Sequence, residues 1–315
     1  MGLLIFPFVN LKFPPAFENR MQDKLGREWE SFENAHAEPA PISVRLNPKK
    51  NCNLPGISAV PWTLSGYYLK ERPSFTLDPS FHAGAYYVQE ASSMFLEQVI
   101  KQSVDLTQPL RVLDLCAAPG GKSTHLLSLL SKSSLLVSNE VIRSRASILS
   151  ENIQKWGHSN VVVTNNDPDN FKRLKGFFDM IVIDAPCSGE GLFRKDHEAM
   201  TEWSTDSTNL CSLRQQRILS DVWPALKENG ILVYCTCTYN EEENENNLLR
   251  FSKEHPVEFI EFTVDPTWGI EAVKKENVIG YQCYPHRVKG EGFFISVFKK
   301  KEEENPASIS TKQNF

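Results

Sequence analysis

The sequence predicts a doubly wound α/β sheet preceded by a small α+β domain, and three observations carry that prediction. From about Pro79 onward, short apolar runs alternate with amphipathic helical stretches, the pattern of βα units around a parallel sheet. Those runs are apolar on consecutive residues, which suits strands covered on both faces. Residues 1–78 are instead rich in proline and aromatic side chains and hold no convincing helix beyond Pro15 to Ala35. The chain therefore divides into an N-terminal domain (1–78), a sheet domain (79–299) and a loose tail (300–315).

In chain order, PISVRLNPKK at 41–50 reads as an extended segment of the first domain. The strands of the second are RVLDL at 111–115, SLLVS at 134–138, NVVVT at 160–164, DMIVID at 179–184 and ILVYCT at 231–236. Between them, RSRASILSENIQKW and LCSLRQQRILSDVWPAL space their apolar residues three or four apart, as helices do. Asn240 and Glu243 have the spacing of a capping box that opens a further helix. GFFISVFKK reads as the last strand.

A chain of 315 residues with 41% hydrophobic and 23% charged residues has the means to bury a sizeable core. It offers no run of about 20 apolar residues to cross a bilayer, and its opening MGLLIFPFVN lacks a basic leader, so the cytoplasm is the expected compartment. Seven cysteines without paired spacing predict reduced thiols and no metal site. A net charge of −5 weighs against nonspecific attraction to a polyanion. Local basic clusters, such as Lys172 with Arg173 and Lys175, Arg194 with Lys195, and Lys299 to Lys301, run the other way.

Asp114-Leu-Cys-Ala-Ala-Pro-Gly-Gly-Lys122 lies where the first sheet strand turns into a helix, the crevice at which open α/β sheets take ligands. Gly120 and Gly121 let the backbone approach a bound molecule, and the helix N-terminus favours an anionic group. A Walker A loop would need glycine where Cys116 stands, and no G-x-G-x-x-G is present. A purely structural turn is the remaining alternative. Acids follow at successive strand ends: Glu140, Asp167 and Asp184. Glu140 is placed to accept hydrogen bonds from two ribose hydroxyls, and Asp167 either to accept from an adenine amino group or to cap a turn.

Asp184-Ala-Pro-Cys-Ser-Gly-Glu-Gly191 and Cys235-Thr-Cys-Thr238 each put a thiol at the carboxyl edge of the sheet, facing that crevice. Cys187, Cys237 and Asp184 are the candidate chemical groups, whereas Cys52, Cys116, Cys211 and Cys283 read as small buried hydrophobes. A regular strand directs Cys235 and Cys237 to one face, which leaves the choice between them open.

DLCAAPGGK, DAPCSGEG and YCTCTYNEEEN, in this order and spacing, resemble the motifs of the RNA cytosine-C5 methyltransferases of the RsmB, RsmF and Sun type. SVRLNP, HAGAYYVQEASSM and GEGFF resemble further segments of that family, so the likeness spans residues 11–299, and PPAFENRMQDKLG is most similar to its RsmF branch. The resemblance implies a Rossmann-like methyltransferase sheet with S-adenosylmethionine as cofactor. Its contacts would fall on Cys116, Ala117, Ala118, Pro119, Gly120, Gly121 and Lys122, with Glu140, Asp167 and Asp184. It also implies an RNA partner, ribosomal and of the small subunit; the oligomeric state stays open, with a monomer expected. Thr236-Cys237 would carry the nucleophile, and Pro186-Cys187 would serve product release. Cytosine C5 is too weak a nucleophile to take a methyl group unaided, so a thiolate adds first at C6, on an unpaired or flipped-out base. Asp184 would hydrogen-bond the base edge.

Some features depart from the family. Cys235 stands where the family often has serine, and DNA cytosine-C5 methyltransferases attack with the Pro-Cys thiol, which would promote Cys187. Members of the RsmF branch commonly continue into a further C-terminal RNA-binding domain, whereas this chain runs only a short way past its last expected strand. A tRNA methyltransferase and a non-catalytic ribosome-assembly factor are the alternative readings.

Overall fold

The structure, a computed structural model, describes residues 12–301; the opening MGLLIFPFVN and all but Lys300 and Lys301 of the expected tail lie outside the described residues. Two antiparallel and parallel systems of strands organise it. The first is a small antiparallel sheet of β1 (Ile42–Leu46), β2 (Ser58–Ala59), β3 (Gly66–Leu69) and β4 (Tyr86–Val88), in the order β2-β3-β1-β4. Before it, the expected single helix is two, α1 (Pro15–Leu25) and α2 (Trp29–Ala37), because Gly26 takes a φ of +52° and turns the chain between them. Short α3 (Pro79–His82) and then α4 (Leu96–Ser103) lead to the second sheet.

Each expected strand of the main sheet is present: β5 (Arg111–Asp114), β6 (Leu135–Asn139), β7 (Val161–Thr164), β8 (Phe178–Asp184) and β9 (Leu226–Thr236). They run parallel in the order β7-β6-β5-β8-β9. The chain winds outward from β5 through β6 to β7, then returns to the other side of β5 for β8 and β9. The switch in direction falls between β5 and β8, and a crevice opens beyond their carboxyl ends. In this sheet three strands went unread in the sequence, β10 (Val257–Phe259), β11 (Glu271–Lys275) and β12 (Val278–Cys283), with the expected β13 (Phe293–Lys300) pairing antiparallel to β9, β10 and β12. In β11, EAVKK keeps alternate residues exposed at the sheet edge, so it carries no apolar run.

The consecutive apolar runs arise because both faces are covered. Val112, Met180, Val182, Ile231 and Val233 point into one core with α4, α5 (Gly121–Leu129) and α6 (Arg143–Trp156). Their neighbours Leu113, Ile181, Ile183, Leu232 and Tyr234 point into the other, beneath α8 (Thr205–Val222) and α9 (Glu245–Glu254). A third cluster packs Phe17, Met21 and Phe32 of α1 and α2 against Phe193 and Tyr239, with α7 (His197–Glu202) adding Met200. Buried Arg45 of β1 joins the small sheet to α5: it stacks 4.5 Å over Trp156 and donates to Thr124 Oγ1 at 2.6 Å and the Gly121 carbonyl at 3.3 Å.

The expected capping box is corrected by the structure. The helix begins at Glu245, with Asn244 at its cap. Asn240 closes a tight turn by accepting from the Glu242 amide at 3.0 Å, and the Glu243 side chain turns inward to the loop after β8 instead of back to Asn240. Among the described residues no helix is long and apolar enough to cross a membrane, no three-residue His/Cys/acid cluster has metal-binding geometry, and the cysteines are free.

Candidate active site

Beyond β5 the chain turns through Cys116, Ala117, Ala118 and Pro119 and enters α5 from Gly120, whose φ is +115°. A left-handed residue there favours glycine, and a Cβ would also stand 3.2 Å from Leu149. The turn is fixed from outside: the Ala117 amide donates to the Asn139 carbonyl at 2.8 Å, Arg145 donates to the Ala118 carbonyl at 2.8 Å, and Asn152 to that of Pro119 at 2.8 Å. Asp114, at the base of the turn, accepts from the Ser123 hydroxyl at 2.6 Å through one oxygen, while the other is buried with no partner. Burial pushes its carboxyl up to about 7 against the opposing Ser123 bond.

Glu140 lies just beyond β6, buried, accepting from the Ile142 amide at 2.9 Å with Arg145 at 3.7 Å. Asp167 caps the 3-10 turn 168–173 by accepting from the Asp169 amide at 3.1 Å and pairs with Arg217 at 2.7 Å. The turn-cap alternative is the one the geometry displays, and the cap occupies one oxygen of a half-exposed carboxylate.

Asp184 ends β8 opposite Cys235 and pairs with Lys122 Nζ at 2.8 Å. Lys122 therefore spans from the glycine turn to the thiol loops, with Phe293 5.2 Å beneath its ammonium. Burial alone would lower its pKa, but Asp184 outweighs this and holds it above its ordinary value, so the ammonium stays charged.

Cys187 and Cys237 meet with sulfurs 3.2 Å apart, and the Cys237 amide points at the Cys187 sulfur at 3.4 Å. The contact with Cys237, then burial, raises the Cys187 thiol well above its usual range. Cys235 stays inside β9, fully buried in the core cluster with Val182, Ile231 and Phe293 and with its thiol raised by burial, whereas the strand ends at Thr236 and Cys237 lies against Cys187. Cys116 is half-buried and also raised by burial.

Sequence reasoning missed four residues that shape this site. Glu243 accepts from the Ser188 amide at 2.8 Å, from the Ser188 hydroxyl, and from Gln215 at 3.0 Å. Burial pushes its carboxyl up to about 7 against those bonds. Glu190, also buried, accepts from the Tyr239 amide at 3.1 Å and pairs with Arg20 of α1 at 2.7 Å. The acid run NEEENEN hid Glu243 among solvated neighbours, and nothing local marks Gln215 or Arg20.

A model of the family "16S rRNA methyltransferase RsmB/F" matches residues 102–299, and one of the N-terminal domain of 16S rRNA methyltransferase RsmF matches residues 13–91. The chain belongs to the RsmB/F methyltransferase family. Among RsmB/F relatives, the ribosomal RNA small subunit methyltransferase F of Psychromonas ingrahamii is 39% identical over 78% of this chain and 52% of its own. That of Erwinia tasmaniensis is 32% identical over 91% of this chain and 63% of its own. The chain thus spans between about half and two thirds of the length of these relatives. A crystal structure of a methyltransferase homologue from Pyrococcus horikoshii superposes with a TM-score of 0.76 at 28% identity, covering 91% of this chain and 95% of that one. NSun6 from the same organism, crystallised with SFG, shares the fold at a TM-score of 0.78 and 19% identity, covering 92% of this chain and 99% of that one.

Proposed function

We propose that this RsmB/F-family chain transfers a methyl group from S-adenosylmethionine to C5 of a cytosine in RNA, with small-subunit ribosomal RNA as the substrate its relatives' names point to. The observation that carries the reading is the pair of thiols 3.2 Å apart, joined to a glycine turn through Lys122 and Asp184.

The residues around the turn fit the donor: Glu140 offers a buried carboxylate to ribose hydroxyls, Asp114 keeps an unpartnered buried oxygen, and Gly120 and Gly121 leave room for close approach. When bound, S-adenosylmethionine supplies an electrophilic methyl group on a sulfonium. SFG, with which NSun6 of Pyrococcus horikoshii was crystallised, is an analogue of that donor.

Cys237 passes its proton to water, and its sulfur forms a bond to cytosine C6 as the C5–C6 π electrons shift toward C5. Asp184, anchored by Lys122, accepts a hydrogen bond from the base edge, and the Lys122 ammonium offsets the negative charge that the added thiolate brings to the ring. C5 takes the methyl group, a base removes the C5 proton, and the returning electrons expel the Cys237 sulfur. Cys187, raised in pKa and touching Cys237, is a protonated thiol at neutral pH and is placed to donate as that sulfur leaves.

Incubation with methyl-labelled S-adenosylmethionine and small-subunit RNA, with sites mapped as 5-methylcytosine, tests the proposal. Cys237→Ala is expected to abolish transfer with donor binding retained by calorimetry. Transfer persisting in that variant refutes the nucleophile assignment.

A further inference from the structure

Neither thiol is held by its own strand. Cys187 lies three residues past the end of β8, and Cys237 one residue past the end of β9. A separation of 3.2 Å between two loop sulfurs therefore needs a brace from elsewhere.

Glu243 is the group that supplies it. One carboxylate oxygen accepts from the Ser188 amide at 2.8 Å and from Gln215 Nε2 at 3.0 Å, and the other accepts from the Ser188 hydroxyl. Gln215 Nε2 also donates to the Pro186 carbonyl at 3.0 Å, so the residues on both sides of Cys187 are pinned to one carboxylate and amide pair. On the other loop, Ser188 Oγ lies 3.1 Å from Thr238 Oγ1, next to Cys237, and the Gly191 amide donates to the Cys237 carbonyl at 2.8 Å. Glu243 is itself fixed to β9, its carbonyl accepting from the Tyr234 hydroxyl at 2.7 Å, and Asn247 of α9 donates to Gln215 Oε1 at 2.9 Å. A carboxylate withdrawn wholly from water costs free energy unless its hydrogen bonds are kept, and here two of the three end on Ser188 of the thiol loop and the third on Gln215 of α8, which itself holds the Pro186 carbonyl.

We infer that Glu243 is a positioning residue that holds the Cys187 loop against the Cys237 loop and so sets the distance between the sulfurs. It contacts neither sulfur and acts through Ser188, Pro186 and Thr238. The inference rests on the reading of the two thiols given above. Glu243→Gln keeps the brace, the new side-chain carbonyl accepting from Ser188 N and Gln215 and its amide donating to Ser188 Oγ, whereas Glu243→Ala removes it.

Two measurements on the full chain test this. Coupling of Cys187 to Cys237 by diamide, which takes up the two electrons and two protons released as the disulfide forms, reads sulfur proximity without RNA. Steady-state kinetics on RNA read the consequence. Glu243→Ala is expected to slow the coupling and to lower kcat by about a hundredfold, the scale for a reacting group misplaced by about 1 Å, with KM for the donor unchanged. Glu243→Gln is expected to restore most of both. Wild-type coupling and wild-type kcat in Glu243→Ala overturn the inference, as does loss in Glu243→Gln equal to that in Ala. Should the Ala variant not fold, Ser188→Ala removes the hydroxyl link and must show the same two defects. A wild-type chain that couples its thiols but methylates no RNA overturns the functional reading and leaves the brace standing.

Discussion

Glu291 offers a stability measurement whose size follows from its surroundings. Both its oxygens are buried without a hydrogen-bond partner, and its nearest cations, Lys195 at 3.8 Å and Arg194 at 4.0 Å, stand at the limit of ion pairing. Burial pushes its carboxyl from 4.5 up to about 7. A carboxyl raised on folding binds its proton more tightly in the native state, so its stabilising contribution is complete below pH 4.5 and lost as pH rises through about 7. Above that window the ionised side chain costs the fold about 3 kcal/mol, from roughly 1.4 kcal/mol for each pKa unit. Glu291→Gln keeps the shape and removes the charge. It is expected to be more stable than wild type by about 3 kcal/mol at pH 8 and by less than about 1 kcal/mol at pH 5. Thermal melts should separate by roughly 5 °C at the higher pH and converge at the lower. A difference independent of pH, or a variant less stable at pH 8, refutes the reasoning.

Further predictions concern the thiols and their charged neighbours. Cys187→Ala is expected to keep the attacking sulfur but accumulate a protein–RNA adduct; a denaturing gel without a slower-migrating species counts against it. Asp184→Asn leaves the Lys122 ammonium without its carboxylate, so single-turnover transfer should fall by about a hundredfold or more. Because Asp184 is 38% exposed at its side chain, the same change should cost only about 1 kcal/mol in a denaturant melt. A rate within about threefold of wild type would remove Asp184 from the chemistry.

The sheet was legible because its strands are buried on both faces, which leaves unbroken apolar runs such as Met180 to Ile183. The turn at Gly120 was legible because a left-handed backbone restricts residue choice. β11 was not, because an edge strand with alternate exposure resembles any polar loop. The role of Glu243 was hidden for a related reason. Spacing relative to Asn240 is a local signal, and the groups that claim the side chain, Ser188 and Gln215, are 55 and 28 residues distant. The same holds for Cys235 and Cys237, whose fates differ only because β9 ends at Thr236 between them.

The acidic composition, which weighed against an RNA partner, has a structural explanation. Among the described residues eight acids are buried, Glu97, Asp114, Glu140, Glu190, Asp221, Glu243, Glu245 and Glu291, against three bases, Arg45, Lys122 and Lys300. Of the chain's 39 acids and 34 bases, three acids and one base lie outside the described residues, so the 28 acids and 30 bases of residues 12–301 that are not buried sum to +2. Burial further raises Asp114, Glu243 and Glu291 to about 7, where each carries only part of its charge at neutral pH. Attraction or repulsion of a polyanion is set by charges that reach solvent, since interior charges are compensated by the dipoles and cations that made their burial possible. A whole-chain count therefore overstates the repulsion an RNA would meet. Arg214 and Lys289, neither of which forms a salt bridge among the described residues, belong to that solvent-reaching set.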